Sequence, residues 1–360
     1  MNTLSVKTNI LPEMVAPLLT WYGQQKRDLP WRDTGSAYHV WISEIMLQQT
    51  RVEAVKPYFE RFLEKFPDIS ALAAAPEDVL LKAWEGLGYY TRARNLQKAA
   101  KIIETSFQGK LPEEVSELLT LPGIGRYTAG AIASIAYGKK APAVDGNVLR
   151  ILMRLLACPE DISRDSVKKQ TEILLTPILP ENAGDFNQAL MDLGAMVCLP
   201  KKAARCPLCP LKKICLAGAE GTFASYPQKA EKKPRRLEKK TILLLTCKEQ
   251  ILVRKRPGSG LLAGLWEFPQ LEGHASKQEL TDVLQQKGCN CKDTSIRKLS
   301  DSKHLFTHIE WQMTGYEIEL PSTETLLFPE EDCQWVHKQE LRTVYAVPSA
   351  FRIYTAEATD

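Results

Sequence analysis

The chain has 360 residues, enough for two or three domains of roughly 150 residues each. With 44% apolar and 25% charged residues its composition is that of a globular protein, which excludes a disordered chain. Its apolar runs fall far short of the roughly 20 residues of a membrane span, and its net charge of +4 hides two basic stretches, 198–215 and 226–240, each of net +5.

The opening MNTLSVKTNI lacks a basic segment followed by an apolar core, so no secretory signal is expected. Nine cysteines then point to a reducing compartment, and a cytoplasmic, nucleoid-associated location of bacterial type is expected. Residues 10–220 carry apolar side chains every three or four positions, broken by Pro and Gly, and predict a mostly helical part.

Within that part, VWISEIML (40–47) has only Ser43 and Glu44 as polar residues. On a helix Glu44 falls between Val40 and Trp41, so it has no wet face and must be paired or have a raised pKa. A raised pKa is what a general acid at neutral pH requires; a Glu held by an Arg in the core is the structural alternative.

Residues 121–126 (LPGIGR) join two helical stretches. Gly123 and Gly125 allow a tight turn, and the amides opening the next helix can hold a phosphate oxygen, as in a helix-hairpin-helix grip on a DNA backbone. Twenty residues on, Asp145 stands in PAVDGNVLR, where a helix cap is the plain reading.

Cys198, Cys206, Cys209 and Cys215 follow the spacing C-x7-C-x2-C-x5-C. Thiolates suit zinc or iron–sulfur centres, and a single C-x2-C knuckle flanked by lone cysteines fits a [4Fe–4S] cluster better than zinc's paired knuckles. Cys158, Cys247, Cys289, Cys291 and Cys333 are expected to pack as small apolar residues or to lie on the surface.

The basic stretch 226–240 reads as a linker, solvated or bound to a polyanion, most commonly nucleic acid. Beyond it, TILLLTC (241–247) and ILVRKR (251–256) predict a β-hairpin across KEQ. WQMTGYEIEL (311–320) alternates with a phase slip at Gly315, which predicts a β-bulge. The fold class expected is a mostly α N-terminal part followed by a smaller α+β part.

VWISEIMLQQTRV, EGLGYYTRARNL, LPGIGRYTAGAI, AVDGNVLR and the cysteine run together resemble the adenine DNA glycosylases of the endonuclease III superfamily. The resemblance is specific over about residues 10–220 and weaker through 360. It implies a catalytic region at 1–225, with a six-helix barrel over about 29–137 and an iron–sulfur cluster domain from 1–28 and 138–225. A basic linker at 226–240 and a Nudix-like 8-oxoguanine recognition domain at 241–360 would follow. The implied partner is double-stranded DNA bearing A:8-oxoguanine or A:G mispairs, bound by a monomer without a membrane; a repair partner at the linker is left open.

By the same resemblance Glu44 would protonate the flipped adenine and later activate water, and Asp145 would stabilise the oxocarbenium-like sugar, as two carboxylates do in glycoside cleavage. Tyr127 stands where strand-cutting relatives have a Schiff-base Lys, implying a monofunctional enzyme. Gln48, Gln49, Thr50, Leu87 and Tyr89 match wedge and opposite-base positions, and Trp31, Arg32 and Gln188 match the adenine pocket; Trp31 and Leu87 also read as core residues. GLLAGLWEFP (260–269) and HLFTHIEW (304–311) match the Nudix-like domain, with Phe306, Thr307 and His308 placed to sense 8-oxoguanine. The chain departs from the family in having seven rather than six residues between its first two cluster cysteines.

Two other functions compete. A bifunctional pyrimidine-lesion glycosylase/lyase would need a Lys where Tyr127 stands. A nucleotide pyrophosphohydrolase using 241–360 would need a run of Glu residues that LEGHASKQELTDVLQQKG lacks.

Overall fold

Helices α1 (Val15–Gln25), α2 (Ala37–Leu47), α3 (Val52–Lys65) and α4 (Ile69–Ala74) open the chain in the computed structural model, and α5 (Glu77–Ala83) and α6 (Thr91–Ser106) continue it. After them come α7 (Val115–Leu118), α8 (Arg126–Tyr137), α9 (Gly146–Leu155), α10 (Asp165–Leu175), α11 (Ala183–Met196) and α12 (Leu216–Ala219). The structure describes residues 8–32, 34–230, 234–287, 294–323 and 332–359; Cys289 and Cys291 lie outside them. The chain divides into two compact units, Met1–Ala74 with Asn95–Glu231 and Ala75–Arg94 with Lys232–Asp360.

In the first unit α2 is buried along Tyr38 and Val40–Met46, Glu44 included, and packs on α8 and α3. A helix apolar on every side has to be interior. Every residue of α9 from Val148 to Leu155 is buried, and with α1 and α11 it forms a core around Leu18, Leu152, Phe186 and Leu190. Asn187 of α11 binds backbone rather than solvent: its Oδ1 accepts from Ala143 N at 3.1 Å, and its Nδ2 donates to Ala141 O at 2.9 Å and to Ser134 Oγ at 2.8 Å. Those bonds fix the non-helical segment that delivers Asp145.

The second unit holds a mixed sheet of β1 (Arg236–Cys247), β2 (Gln250–Lys255), β3 (Trp266–Glu267), β4 (Gln270–Glu272), β5 (Ser295–Lys298), β6 (Ser302–Leu305), β7 (Ile309–Glu319) and β8 (Cys333–His337). The strand order is β3-β2-β1-β7-β5, with β4 also on β1, β6 on β7 and β8 on β2; β1 and β7 run parallel. The expected hairpin is present, Thr246 facing Ile251. Its first strand starts at Arg236, within the stretch read as linker. Lys240 is buried there because Glu272 neutralises it at 2.7 Å and Trp311 lies under its ammonium. Upstream, Ile162 N donates to Gln228 O, tying residues 226–230 to the helical unit.

The bulge expected at Gly315 is not there. β7 pairs β1 without interruption through Ile242–Gly315. Trp311 and Met313 face a core closed by Phe351 and Tyr354, the latter on α15 (Arg352–Thr359), while Tyr316 and Ile318 face one closed by Leu280 and Leu284 of α13 (Lys277–Gln286). The slip in alternation is a change of covered face. Gly315 is needed for a different reason: a Cβ there would overlap the Tyr354 ring.

Residues 75–94 pack in this unit. Lys82 Nζ donates to Leu341 O and Tyr345 O at 3.1 and 2.9 Å, Val347 N donates to Glu85 at 2.8 Å, and Arg94 donates to Ala263 O.

Candidate active site and cysteine cluster

A cavity of about 370 Å³ opens beside α2, and its walls carry Glu44, Tyr127, Asp145 and Asn147. Trp31, Arg32, Gln48, Gln49, Thr50 and Gln188 also face it, so residues assigned separately from the sequence to catalysis, wedge and base pocket share one chamber. No lysine lines it.

The two buried carboxylates differ in their hydrogen bonding. Asp145 caps α9: Oδ1 accepts from Asn147 N and Val148 N, both at 2.8 Å, and Oδ2 accepts from Asn147 Nδ2 at 2.8 Å. The cap read from the sequence and the cavity residue are the same side chain. Burial raises its pKa above the ordinary value, and the three donors limit the rise without cancelling it, while the helix N-terminus favours its negative charge.

Glu44 is 5% exposed, makes no ion pair among the described residues, and its Oε2 has no hydrogen-bond partner. Burial pushes its pKa up to about 7; the Tyr127 hydroxyl and, more weakly, Arg32 oppose the shift, and Asp145 adds to it. A core arginine does not hold Glu44, because Arg32 Nη1 and Nη2 each donate to Asp192 at 2.8 Å. The Tyr127 hydroxyl also lies 3.8 Å from Met191 Sδ, and burial raises its own pKa far above the usual phenol range.

Gly123 adopts φ +81° and its missing Cβ would lie 2.8 Å from Asn95 Cβ, so a side chain there is strained and crowded. Gly125 has φ −93°, open to any residue, and caps α8 with nothing within 4 Å of its Cβ position. It leaves the amides at the helix start uncovered. Arg126 is not available to a phosphate, because Asp165 and Glu172 bind it at 2.6 and 3.1 Å.

Gln49 and Tyr89 are exposed in left-handed backbone conformations, φ 61° and 49°. Non-glycine residues in that region are strained and concentrate at functional sites. Leu87 is buried at 6% exposure, so it is core. Tyr89 shares a cavity of about 390 Å³ with Phe306, Thr307 and His308, its hydroxyl 3.4 Å from Thr307 Oγ1. Phe306 is braced edge-on by His304 at 4.7 Å and Trp311 at 4.9 Å.

Cys198, Cys206, Cys209 and Cys215 are free thiols lining one pocket. Burial above all, with repulsion from the neighbouring thiolates, raises Cys209 to about 12 and also raises Cys215, so these two need a cation to ionise. Buried Arg154 supplies part of that charge. Its Nη1 donates to Cys198 Sγ at 3.3 Å and to Leu199 O at 2.7 Å, its Nη2 to Lys201 O, and its Nε to Phe223 O and Tyr226 O. No three ligating side chains among the described residues converge as they would around a single ion. The four cysteines nevertheless line one pocket, and an all-thiolate donor set suits a zinc or an iron–sulfur centre. Of the other cysteines, Cys158 and Cys247 are buried and Cys333 packs against apolar neighbours.

Arg27, Asn147, Met191 and Asp192 escaped the sequence reading. Asp192 carries the signal that exposed Glu44: an acid within an apolar helical run, ALMDLGAM.

A helical body with a glycine hairpin and a Glu–Asp cavity defines a helix-hairpin-helix base-excision scaffold. Accordingly, residues 42–177 match the HhH-GPD superfamily of base excision DNA repair proteins, and residues 241–357 match the NUDIX domain. A solved thermostable thymine-DNA glycosylase aligns with a TM-score of 0.53 at 29% identity, over 59% of this chain and 99% of that one. A trapped endonuclease III–DNA covalent intermediate gives 0.52 at 26% identity, over 60% and 99%. The chain belongs to the adenine DNA glycosylases: it is 36% identical to that of Homo sapiens over 94% of this chain and 73% of the relative. It is also 38% identical to that of Buchnera aphidicola subsp. Schizaphis graminum over 81% and 83%.

Proposed function

We propose that the protein removes adenine mispaired with 8-oxoguanine or guanine from double-stranded DNA, acting as a monofunctional glycosylase. The observation that carries this reading is the split pair of carboxyls: Glu44 with a free buried oxygen and a pKa near neutrality, Asp145 held by three donors. Burial raises both carboxyls, but only Asp145 has three donors to hold its charge, and such unequal hydrogen bonding separates an acid from an anion.

In this mechanism the extruded adenine enters the cavity and protonated Glu44 donates to N7, making the base a neutral leaving group. Positive charge then grows on the sugar, and the fixed Asp145 carboxylate stabilises it without reorganising. Glu44, now ionised, takes a proton from the attacking water. Tyr127 orients Glu44 and offers no amine for a Schiff base. Tyr89, Phe306, Thr307 and His308 read the opposite oxidised base, while Gln49 holds the wedge.

Cys198, Cys206, Cys209 and Cys215 would hold a [4Fe–4S] cluster, which when bound would cross-link the basic 198–215 loop for DNA contact. Pyrophosphohydrolase action is disfavoured because Glu279, one of the few acids on α13, is committed to a capping box with Ser276. The protein is expected to act as a monomer on cytoplasmic, nucleoid DNA. The test is incubation with labelled duplexes containing A opposite 8-oxoguanine, A opposite G, and oxidised pyrimidines. Alkali-labile sites at adenine are expected from the first two only, and cleavage confined to pyrimidines would overturn the reading.

A further inference from the structure

Asp192 is a fully buried carboxylate that the mechanism above does not use. It is not among the residues lining the Glu44 cavity, but both of its partners are. Its Oδ1 accepts from Arg27 Nε at 2.7 Å and Arg32 Nη2 at 2.8 Å. Its Oδ2 accepts from Arg32 Nη1 at 2.8 Å and from the Arg27 amide at 3.1 Å. Arg32 Nη1 also donates to Arg27 O at 3.0 Å, and its guanidinium lies 5.6 Å from the Tyr22 ring centroid. One carboxylate thus clamps two guanidiniums that form part of the cavity wall.

We propose that Asp192 is a positioning residue that holds Arg27 and Arg32 as one wall of the base cavity and cancels one of their two positive charges. The inference rests on the assignment of Glu44 as the acid. Two uncompensated cations beside Glu44 would favour its carboxylate and disarm it as a proton donor. A wall with no net charge would let burial raise Glu44 further. The triad, at net +1, sets an intermediate field, and the ionic hydrogen bonds to Asp192 hold both guanidiniums in place.

Among the described residues, the charged or titratable groups acting on Glu44 are Tyr127 from α8, Asp145 from the segment before α9 and Arg32 from the segment before α2, and Arg27 lines the same cavity. To the same cavity α3 contributes Val52, and α11 contributes Gln188, Met191 and Ala195, none of them charged. A change of charge at Asp192 therefore reaches Glu44 through the arginines.

The experiment is single-turnover adenine excision from an A:8-oxoguanine duplex as a function of pH, for the wild type, Asp192→Asn, Asp192→Glu and Arg27→Gln. Loss of rate at high pH reports ionisation of Glu44. Asp192→Asn leaves two cations and should move this alkaline limb down by about one pH unit. Asp192→Glu should restore it. Arg27→Gln leaves a neutral pair and should move the limb up, which keeps the proposal testable if Asp192→Asn does not fold. A uniform fall in rate with the limb unmoved in both Asp192→Asn and Arg27→Gln would make Asp192 merely structural and overturn the inference. Absence of adenine excision by the wild type would instead overturn the functional reading beneath it.

Discussion

A Cβ on Gly130 would overlap the carbonyl oxygen of Pro142. Helix α8 and the segment carrying Asp145 thus touch backbone to backbone, and Asn187 locks the second side of that segment. Gly130→Ala should therefore displace residues 141–145 rather than fill space. Overpacking typically costs about 1–3 kcal/mol, so thermal unfolding should fall by several degrees. Excision should fall further than stability, because Asp145 moves with the segment. A variant with wild-type rate would show that Asp145 is held by its cap alone.

Glu44 carries a stability cost that its removal should reveal. Its folded pKa, about 7, lies above the ordinary 4.5, so the stabilisation present while it is protonated is lost as pH rises through 7. The difference is on the order of 3 kcal/mol. Glu44→Gln should melt higher than the wild type at pH 8, with the gap nearly closed at pH 5. Excision should drop about 10²–10⁴-fold with duplex binding retained. Equal melting at pH 8 would place the charge of Glu44 in solvent.

Tyr127 lines the cavity, and among the described residues no lysine does. Borohydride should therefore trap little protein on DNA at neutral pH, and strand breaks should require added alkali. Efficient trapping would reveal a lysine reaching the sugar from elsewhere and would remove the monofunctional assignment.

Purified protein should be brown and contain about four irons per chain. Replacing Cys206 by Ser should bleach it and lower its melting temperature, since metal binding of this kind is folding free energy. Colourless, active protein with stoichiometric zinc would show that the four thiols hold a different metal.

Reading of the opposite base should depend on Phe306 and Thr307. The double substitution Phe306→Ala with Thr307→Ala should reduce the preference for 8-oxoguanine over guanine by about 1–3 kcal/mol, the usual worth of contacts to one base. Excision itself should persist. Deleting 241–360 is a blunter test, because it strips residues 75–94 of the Leu341, Tyr345, Val347 and Ala263 contacts. An unchanged discrimination ratio in the double variant would assign damage recognition to the wedge around Gln49 and Tyr89.

Much of the site was legible along the chain because its signals are local. The apolar run around Glu44 needs only helical periodicity to show a trapped carboxyl, and the spacing of Cys198, Cys206, Cys209 and Cys215 needs only ligand chemistry. Asp145 as a cap follows from one turn of helix, and the 241–256 hairpin from alternation. Local rules failed where two covered faces met: the slip at Gly315 looked like a bulge because alternation cannot tell an irregular strand from one buried on both sides in turn.

The amino-acid sequence by itself determined which segments are helical or extended, which carboxyl has no route to water, and which thiols can share a centre, since periodicity and spacing act over a few residues. Only the tertiary structure decided that Arg32 binds Asp192 and that Glu44 has no ion pair among the described residues. It likewise decided that Asn187 anchors the Asp145 segment, that Gly130 and Gly315 are glycines because Pro142 and Tyr354 come so close, and that Leu87 is core while Tyr89 stands exposed. Those pairings join residues 12 to 160 positions apart, Gly130 and Pro142 the nearest and Arg32 and Asp192 the farthest. Such partners are chosen by packing density and by the cost of burying an unpaired charge, and neither can be computed until the chain has closed on itself.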